Sequence, residues 1–127
     1  MIEFCILGSG MAGSTIANLL SKKSSVEIFD KARGAGGRSS NRRFKNGASF
    51  DHGLQYIYPK NKLFKRFLIN LERKKIIKKW EGNHLDLTLR VKKPGYKYIG
   101  KKGNSDIQKY LVKNISTNYK SCIDKII

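Results

Sequence analysis

The chain opens with a short apolar run, Ile2–Leu7 (IEFCIL), in which only Glu3 is polar. That pattern predicts a strand covered on both faces. Glycines at positions 8, 10 and 13 break the run. From Met11 to about Lys23, Met11, Ile16, Leu19 and Leu20 recur at helical spacing, with Lys22 and Lys23 where the helix C-terminus would favour positive charge. Val26–Asp30 (VEIFD) reads as a second strand. Strand, glycine turn, helix and strand together make a βαβ unit, whose crossover should be right-handed.

Past Asp30 the pattern changes. In NRRFKNGASF, Asn46-Gly47 stands between two short runs, a strong hairpin signal because both residues tolerate positive φ. Asn61–Lys74 places Leu63, Phe64, Phe67, Leu68 and Leu71 on one face of a second helix. IIKKW and LDLTLR predict strands around a Gly82-Asn83 turn, the second alternating through Leu85, Leu87 and Leu89, and Tyr96–Ile99 predicts another. A third helix follows in SDIQKYLVKNI, with Ser105 and Gln108 as a capping box and Ile107, Tyr110, Leu111 and Ile115 as its buried stripe. SCIDKII, at the end, resembles the opening of a further strand. No repeat or low-complexity linker interrupts this order.

With 127 residues, 39% of them hydrophobic and 28% charged, the composition is that of one modest globular domain. No apolar run reaches the roughly 18 residues of a spanning helix, and the N-terminal run carries Glu3 and no basic leader, unlike a signal peptide. Membrane partners are therefore not expected, and the cytoplasm is the default compartment. Cys5 and Cys122 sit in apolar stretches and read as reduced core thiols rather than as a disulfide or metal pair. The formal net charge of +18 is concentrated from Lys60 to Lys102, where fifteen Lys and Arg face three acids. Such a field attracts nucleic acid or anionic lipid, but the lysines are spread over several elements, as on a solvated surface.

GSGMAG spells G-x-G-x-x-G with Gly8, Gly10 and Gly13. The first glycine permits a tight turn, the second lets backbone meet a diphosphate, and the third lets helix and strand pack closely. The helix N-terminus then offers free N–H groups to the anion. Alone the motif is weak, but here it follows a strand and opens a helix. Asp30 ends the next strand, where a carboxylate would bind ribose hydroxyls. The alternative role for Asp30 is that of a strand-end cap or turn former.

The next stretch, DKARGAGGRSSNRR, holds five basic residues. Its Arg33-Gly34-x-Gly36-Gly37-Arg38 core would let a second flexible loop close over the same diphosphate, with an arginine supplying planar donors. With GSGMAG, FDKARGAGGR, NRR and FDHGLQY, the sequence resembles the N-terminal part of FAD-dependent oxidoreductases of the amine-oxidase superfamily, and most nearly the renalase-like branch. The likeness is dense to about Tyr58 and thin through Trp80 and YIGKKGNSDIQKYL.

The resemblance implies an α/β fold: a partial Rossmann-like FAD-binding βαβ unit, then a β-hairpin and a mixed α+β segment, C-terminally incomplete. Residues 1–58 would form the FAD-binding unit with its hairpin, and residues 59–127 the basic beginning of a substrate-domain region. Gly8, Gly10, Met11, Ala12 and Gly13 would hold the FAD diphosphate, Asp30 and Lys31 the adenosine side, and Gly36, Gly37 and Arg38 the phosphates again. Asp51, His52 and Gly53 resemble the loop near the flavin ring, with Gln55 and Tyr56 completing that signature. Arg33, Arg42 and Arg43 match basic positions without an assigned role, and for the last two a solvated hairpin edge is the alternative. The flavin would take a hydride from the substrate and pass electrons to oxygen. His52 would then pack or orient, and no catalytic residue is assigned. His84 reads as exposed.

Relatives of this kind are more than twice as long, so only the first two Rossmann strands are expected here, with FAD held weakly or not at all and no activity from this chain alone. The implied substrate is a reduced nicotinamide isomer or an amine. Two other readings stay open: a basic nucleic-acid-binding module on a half-Rossmann core, and half of a split flavoprotein completed by a C-terminal partner chain. Against the nucleic-acid module, Phe64, Phe67, Trp80, Tyr96 and Tyr98 fit core positions better than exposed stacking platforms.

Overall fold

The computed structural model describes residues 1–82, 84–85, 87–92 and 97–125. In chain order the elements are β1 (Phe4–Leu7), α1 (Met11–Leu20), β2 (Val26–Asp30), a 3-10 turn (Gly37–Ser39), β3 (Asn41–Arg43), β4 (Ser49–Asp51) and α2 (Lys62–Arg73). They are followed by β5 (Ile77–Lys79), β6 (His84–Leu85), β7 (Val91–Lys92), β8 (Tyr98–Gly100), α3 (Asp106–Leu111) and β9 (Ser116–Tyr119). The predicted βαβ unit is present, and the fold is α/β.

The central sheet is parallel with strand order β1-β2-β9. Instead of only two Rossmann strands, a third lies beside β2, with Glu27 in register with Ser116 and Asp30 with Tyr119. It comes from Ser116–Tyr119, immediately before the SCIDKII segment in which a strand was expected to open. Glu27 accepts a hydrogen bond from Asn118 Nδ2 at 2.7 Å, so polar pairing holds a strand that has no apolar alternation.

α1 and α3 pack against each other over this sheet around Ala17, Val26, Ile28 and Val112. The buried face of α1 is Ser14 and Ala17, whereas Ile16 and Leu19 are exposed. The predicted apolar stripe is thus displaced around the helix. Small side chains let α3 approach, and Asn18 Nδ2 donates to Leu111 O at 2.8 Å. β1 is not covered on both faces either. It is an edge strand, and Phe4 and Leu7 are 41% and 49% exposed. Cys5 on that edge and Cys122 after β9 are free and exposed, not core thiols.

A second core joins α2, the β5–β8 pair and α3 through Leu68, Leu71, Ile77, Tyr98, Ile107 and Leu111. Asn61 caps α2 by accepting from Phe64 N at 2.8 Å. Leu63, assigned to the buried face, is exposed. Ile77–Lys79 pairs antiparallel with Tyr98–Gly100 rather than with LDLTLR. Among the described residues of the latter, only Leu85 pairs as a strand, with Val91 next to the His84–Lys92 pair, while Leu87 and Leu89 are exposed and Leu89 has φ +59°. Asn83, Asp86, Tyr96 and the His84 side chain lie outside the described residues.

The β3–β4 hairpin forms where Asn46-Gly47 predicts it. Only Gly47 has positive φ, however, and Gly47 N donates to Phe44 O while Phe44 N donates to Ala48 O. The result is a longer loop than the two-residue turn expected from Asn-Gly. At α3 the capping box does not form. Ser105 is already helical, and buried Gln108 turns inward to bridge Ser105 O, Asn104 O and the Ser39 hydroxyl.

Candidate functional site

The chain leaves β1 through Gly8, whose φ of +93° a side chain would resist, and Gly8 N still donates to Phe29 O on β2. The chain then turns at Gly10 into α1. A β-carbon on Gly13 would lie 2.0 Å from Gly8 O, so the start of the helix can press on the end of the strand only because position 13 has none. No side chain caps Gly10, and no acidic residue stands in the first turn of α1. The positive end of the helix is therefore left for an external anion.

The second glycine loop leans on the first. Gly36 N donates to Ser9 O at 3.1 Å, and a β-carbon on Gly37 would lie 3.0 Å from the Gly10 Cα. Gly36 and Gly37 both have positive φ, at +152° and +55°. Arg38 follows in the 3-10 turn, exposed. Gly8, Gly10, Gly13, Gly37 and Arg38 line one cavity of about 780 Å³, together with Met11 and Ala12. The two turns and the arginine, 28 positions apart from Gly10 to Arg38 in sequence, share one groove.

Asp30 and Lys31 line an adjoining groove of about 320 Å³ that meets the first at Leu7 and Gly8. Asp30 Oδ2 accepts from Ser9 N at 2.7 Å and from the Ser9 hydroxyl, and Oδ1 accepts from Ala32 N at 2.8 Å. Partial burial raises the pKa of this carboxyl, but the Ser9 hydroxyl, the two backbone N–H groups and the nearby Lys31 charge outweigh that and hold it below the ordinary value. Asp30 thus ties the glycine loop to the end of β2, the turn-forming role kept open above, at the mouth of the groove. Beside it Tyr119 is pushed up by burial and by the Asp30 charge.

The model of the NAD(P)-binding Rossmann-like domain family matches residues 6–71, more than half of the chain. The chain belongs to that family. The match spans both glycine loops, the Asp30 corner, the hairpin and most of α2.

Within the Rossmann-like domain, the groove fits a dinucleotide diphosphate. It combines an uncapped helix N-terminus, a two-sided glycine cradle that any β-carbon at Gly37 would crowd, and a guanidinium on the same wall. Among the described residues, no helix is long and apolar enough to cross a membrane.

The DHG signature does not line the glycine groove. Asp51 Oδ1 accepts from Asn104 N at 2.9 Å and from Asn41 Nδ2 at 3.2 Å, tying the hairpin to the loop before α3. Gly53 supports Arg38 from behind: Leu54 N donates to Arg38 O at 3.0 Å, and a β-carbon on Gly53 would fall 2.1 Å from that oxygen. His52 is exposed rather than packed and lines a separate cleft with Arg33, Arg42 and Arg43. Gln55 is exposed, and Tyr56 stacks on Trp80 with ring centroids 5.3 Å apart.

Two residues the sequence reading passes over organise this region. Ser9, fully buried, holds Asp30. Asn104, also fully buried, accepts from Gly100 N and donates to Leu54 O and Gln55 O. The sequence signal for each is a short polar residue beside a glycine, where a side chain can replace missing backbone partners.

Proposed function

We propose that this chain is the cofactor-binding part of an FAD-dependent oxidoreductase of the amine-oxidase superfamily, renalase-like in kind. The observation that carries this reading is the contact between the Gly10 and Gly37 turns with Arg38 on the same cavity wall. A nicotinamide-binding βαβ unit needs the first turn and an acidic residue; it does not need the second turn or its arginine. Gly8, Gly10, Gly13, Gly37 and Arg38 would hold the diphosphate, and Asp30 with Lys31 the adenosine side. FAD, when bound, supplies the redox chemistry, taking a hydride equivalent from a small substrate such as a reduced nicotinamide isomer or an amine. The protein's part is to bind and orient. Residues 1–58 form this unit together with α3 and β9 from the 59–127 segment, and α2 with the β5–β8 pair begins the substrate side, with the open outer edge of β1 available to a complementary chain.

The test is direct titration of the purified chain with FAD, NAD⁺ and NADP⁺, followed by flavin or protein fluorescence. Saturable FAD binding that weakens about tenfold in Arg38→Gln supports the proposal. Tighter binding of NAD⁺ or NADP⁺ than of FAD, or FAD binding indifferent to Arg38→Gln, overturns it.

A further inference from the structure

The basic stretch after Asp30 divides between two cavities. Gly36–Ser39 line the glycine groove, whereas Ala32–Ala35 and Ser40–Arg43 line a second cleft of about 750 Å³. The two cavities share no lining residue. Arg38 thus stands on one side, with Arg33, Arg42 and Arg43 on the other.

Every ionisable side chain lining the second cleft is a base: Arg33, Arg42, Arg43, His52 and Lys109. They converge from the loop after β2, from β3, from the segment after β4 and from α3. Asp106 pairs with Lys109 at 3.6 Å on α3, but no carboxylate lines the cleft. Bringing like charges together from distant parts of the chain is unfavourable without a counter-charge, and guanidinium groups suit a tetrahedral oxyanion because their N–H groups pair with it in parallel. The volume lies in the range of small-molecule sites. Unlike the lysines between Lys60 and Lys102, which are spread over several elements, these groups line one open cleft, with the Arg42 guanidinium also 5.8 Å from the centre of the Phe44 ring.

We propose that this cleft is a second anion site, which takes the phosphate group of a small phosphorylated molecule separately from the cofactor diphosphate. As a substrate site it rests on the oxidoreductase reading above; as an anion site it does not.

The experiment titrates the ¹⁵N-labelled chain with inorganic phosphate and with ribose 5-phosphate against chloride at matched ionic strength, following backbone amide shifts. The expected result is saturable shifts at Arg33, Asn41–Arg43, His52 and Lys109, with ribose 5-phosphate binding at least as tightly as inorganic phosphate. Arg42→Gln/Arg43→Gln should weaken binding about tenfold and Arg38→Gln less than about twofold. Arg33→Gln, read in the same way, serves if the double variant loses its dispersed spectrum. Equal shifts with chloride, shifts confined to Gly10–Gly13, or affinity unchanged in the cleft variants each overturn the site. Ribose 5-phosphate binding more weakly than free phosphate overturns its assignment to a phosphate ester. Failure of FAD titration with these shifts intact would sink the cofactor reading alone.

Discussion

The α-carbon of Gly53 lies under the carbonyl of Arg38, so close that a β-carbon there would fall 2.1 Å from the oxygen. The loop that follows β4 is thereby the floor on which the 3-10 turn rests. Gly53→Ala must push that backbone away, and overpacking of this kind costs about 1–3 kcal/mol. Urea denaturation should show the loss, and FAD titration should show weaker binding even though residue 53 does not line the glycine groove.

Glycines elsewhere are not equivalent. Gly13→Ala drives a β-carbon to 2.0 Å from Gly8 O, whereas a β-carbon on Gly34 meets nothing within 4 Å. Gly13→Ala should destabilise by about 1–3 kcal/mol, and Gly34→Ala should stay within about 0.5 kcal/mol of the parent. Paired denaturant midpoints decide this, and equal midpoints would remove the close-packing role assigned to Gly13.

The Asp30 carboxyl is held below its ordinary value in the folded chain. Its contribution to stability is therefore complete above the unfolded value near pH 4. It is lost as pH falls through the lower, folded-state value. Melting temperature should drop with acidification more steeply in the parent than in Asp30→Asn, with the two curves converging at the acid end. Parallel curves would mean that the Ser9 and Ala32 hydrogen bonds do not favour the ionised form.

Asn104 satisfies three backbone groups from a fully buried position. Asn104→Ala leaves Gly100 N, Leu54 O and Gln55 O without that partner, at about 1–3 kcal/mol for a buried group so deprived. Hydrogen exchange at Gly100 should accelerate in the variant, a local readout that a general loosening of the fold would not single out.

Phe4 and Leu7 stand exposed on an edge strand. A strand edge with apolar flanks pairs with other chains, and lysine blocks such pairing. Phe4→Lys should shift the chain toward monomer in light scattering at raised concentration while leaving its far-UV spectrum unchanged.

The βαβ unit, the hairpin and the contact between the two glycine loops were legible because each depends on local chemistry: glycine at a required turn and short apolar runs between turns. What escaped depends on partners far along the chain. Periodicity placed Ile16 and Leu19 on the buried face of α1, but Ser14 and Ala17 face α3 because the close approach of a second helix selects small side chains. LDLTLR alternates like a strand, yet its described part does not continue as one, since Tyr98–Gly100 already pairs with Ile77–Lys79. Ser116–Tyr119 has no apolar alternation, and only the open edge of β2 makes it a strand. At the site, sequence assigned Arg38 a phosphate role and left Arg33, Arg42 and Arg43 without one; the turn at Gly36–Ser39 sets these three on a different cleft from Arg38.

The pairing of β2 with β9 carries a consequence for biosynthesis. Glu27 and its partner Ser116 are 89 residues apart, so on the ribosome the outer edge of β2 waits for that much chain to be made. At roughly 5–20 residues per second the delay is several seconds or more. During that interval the nascent first strands are open on both sides, and chaperones that recognise unpaired strands have their widest opportunity then.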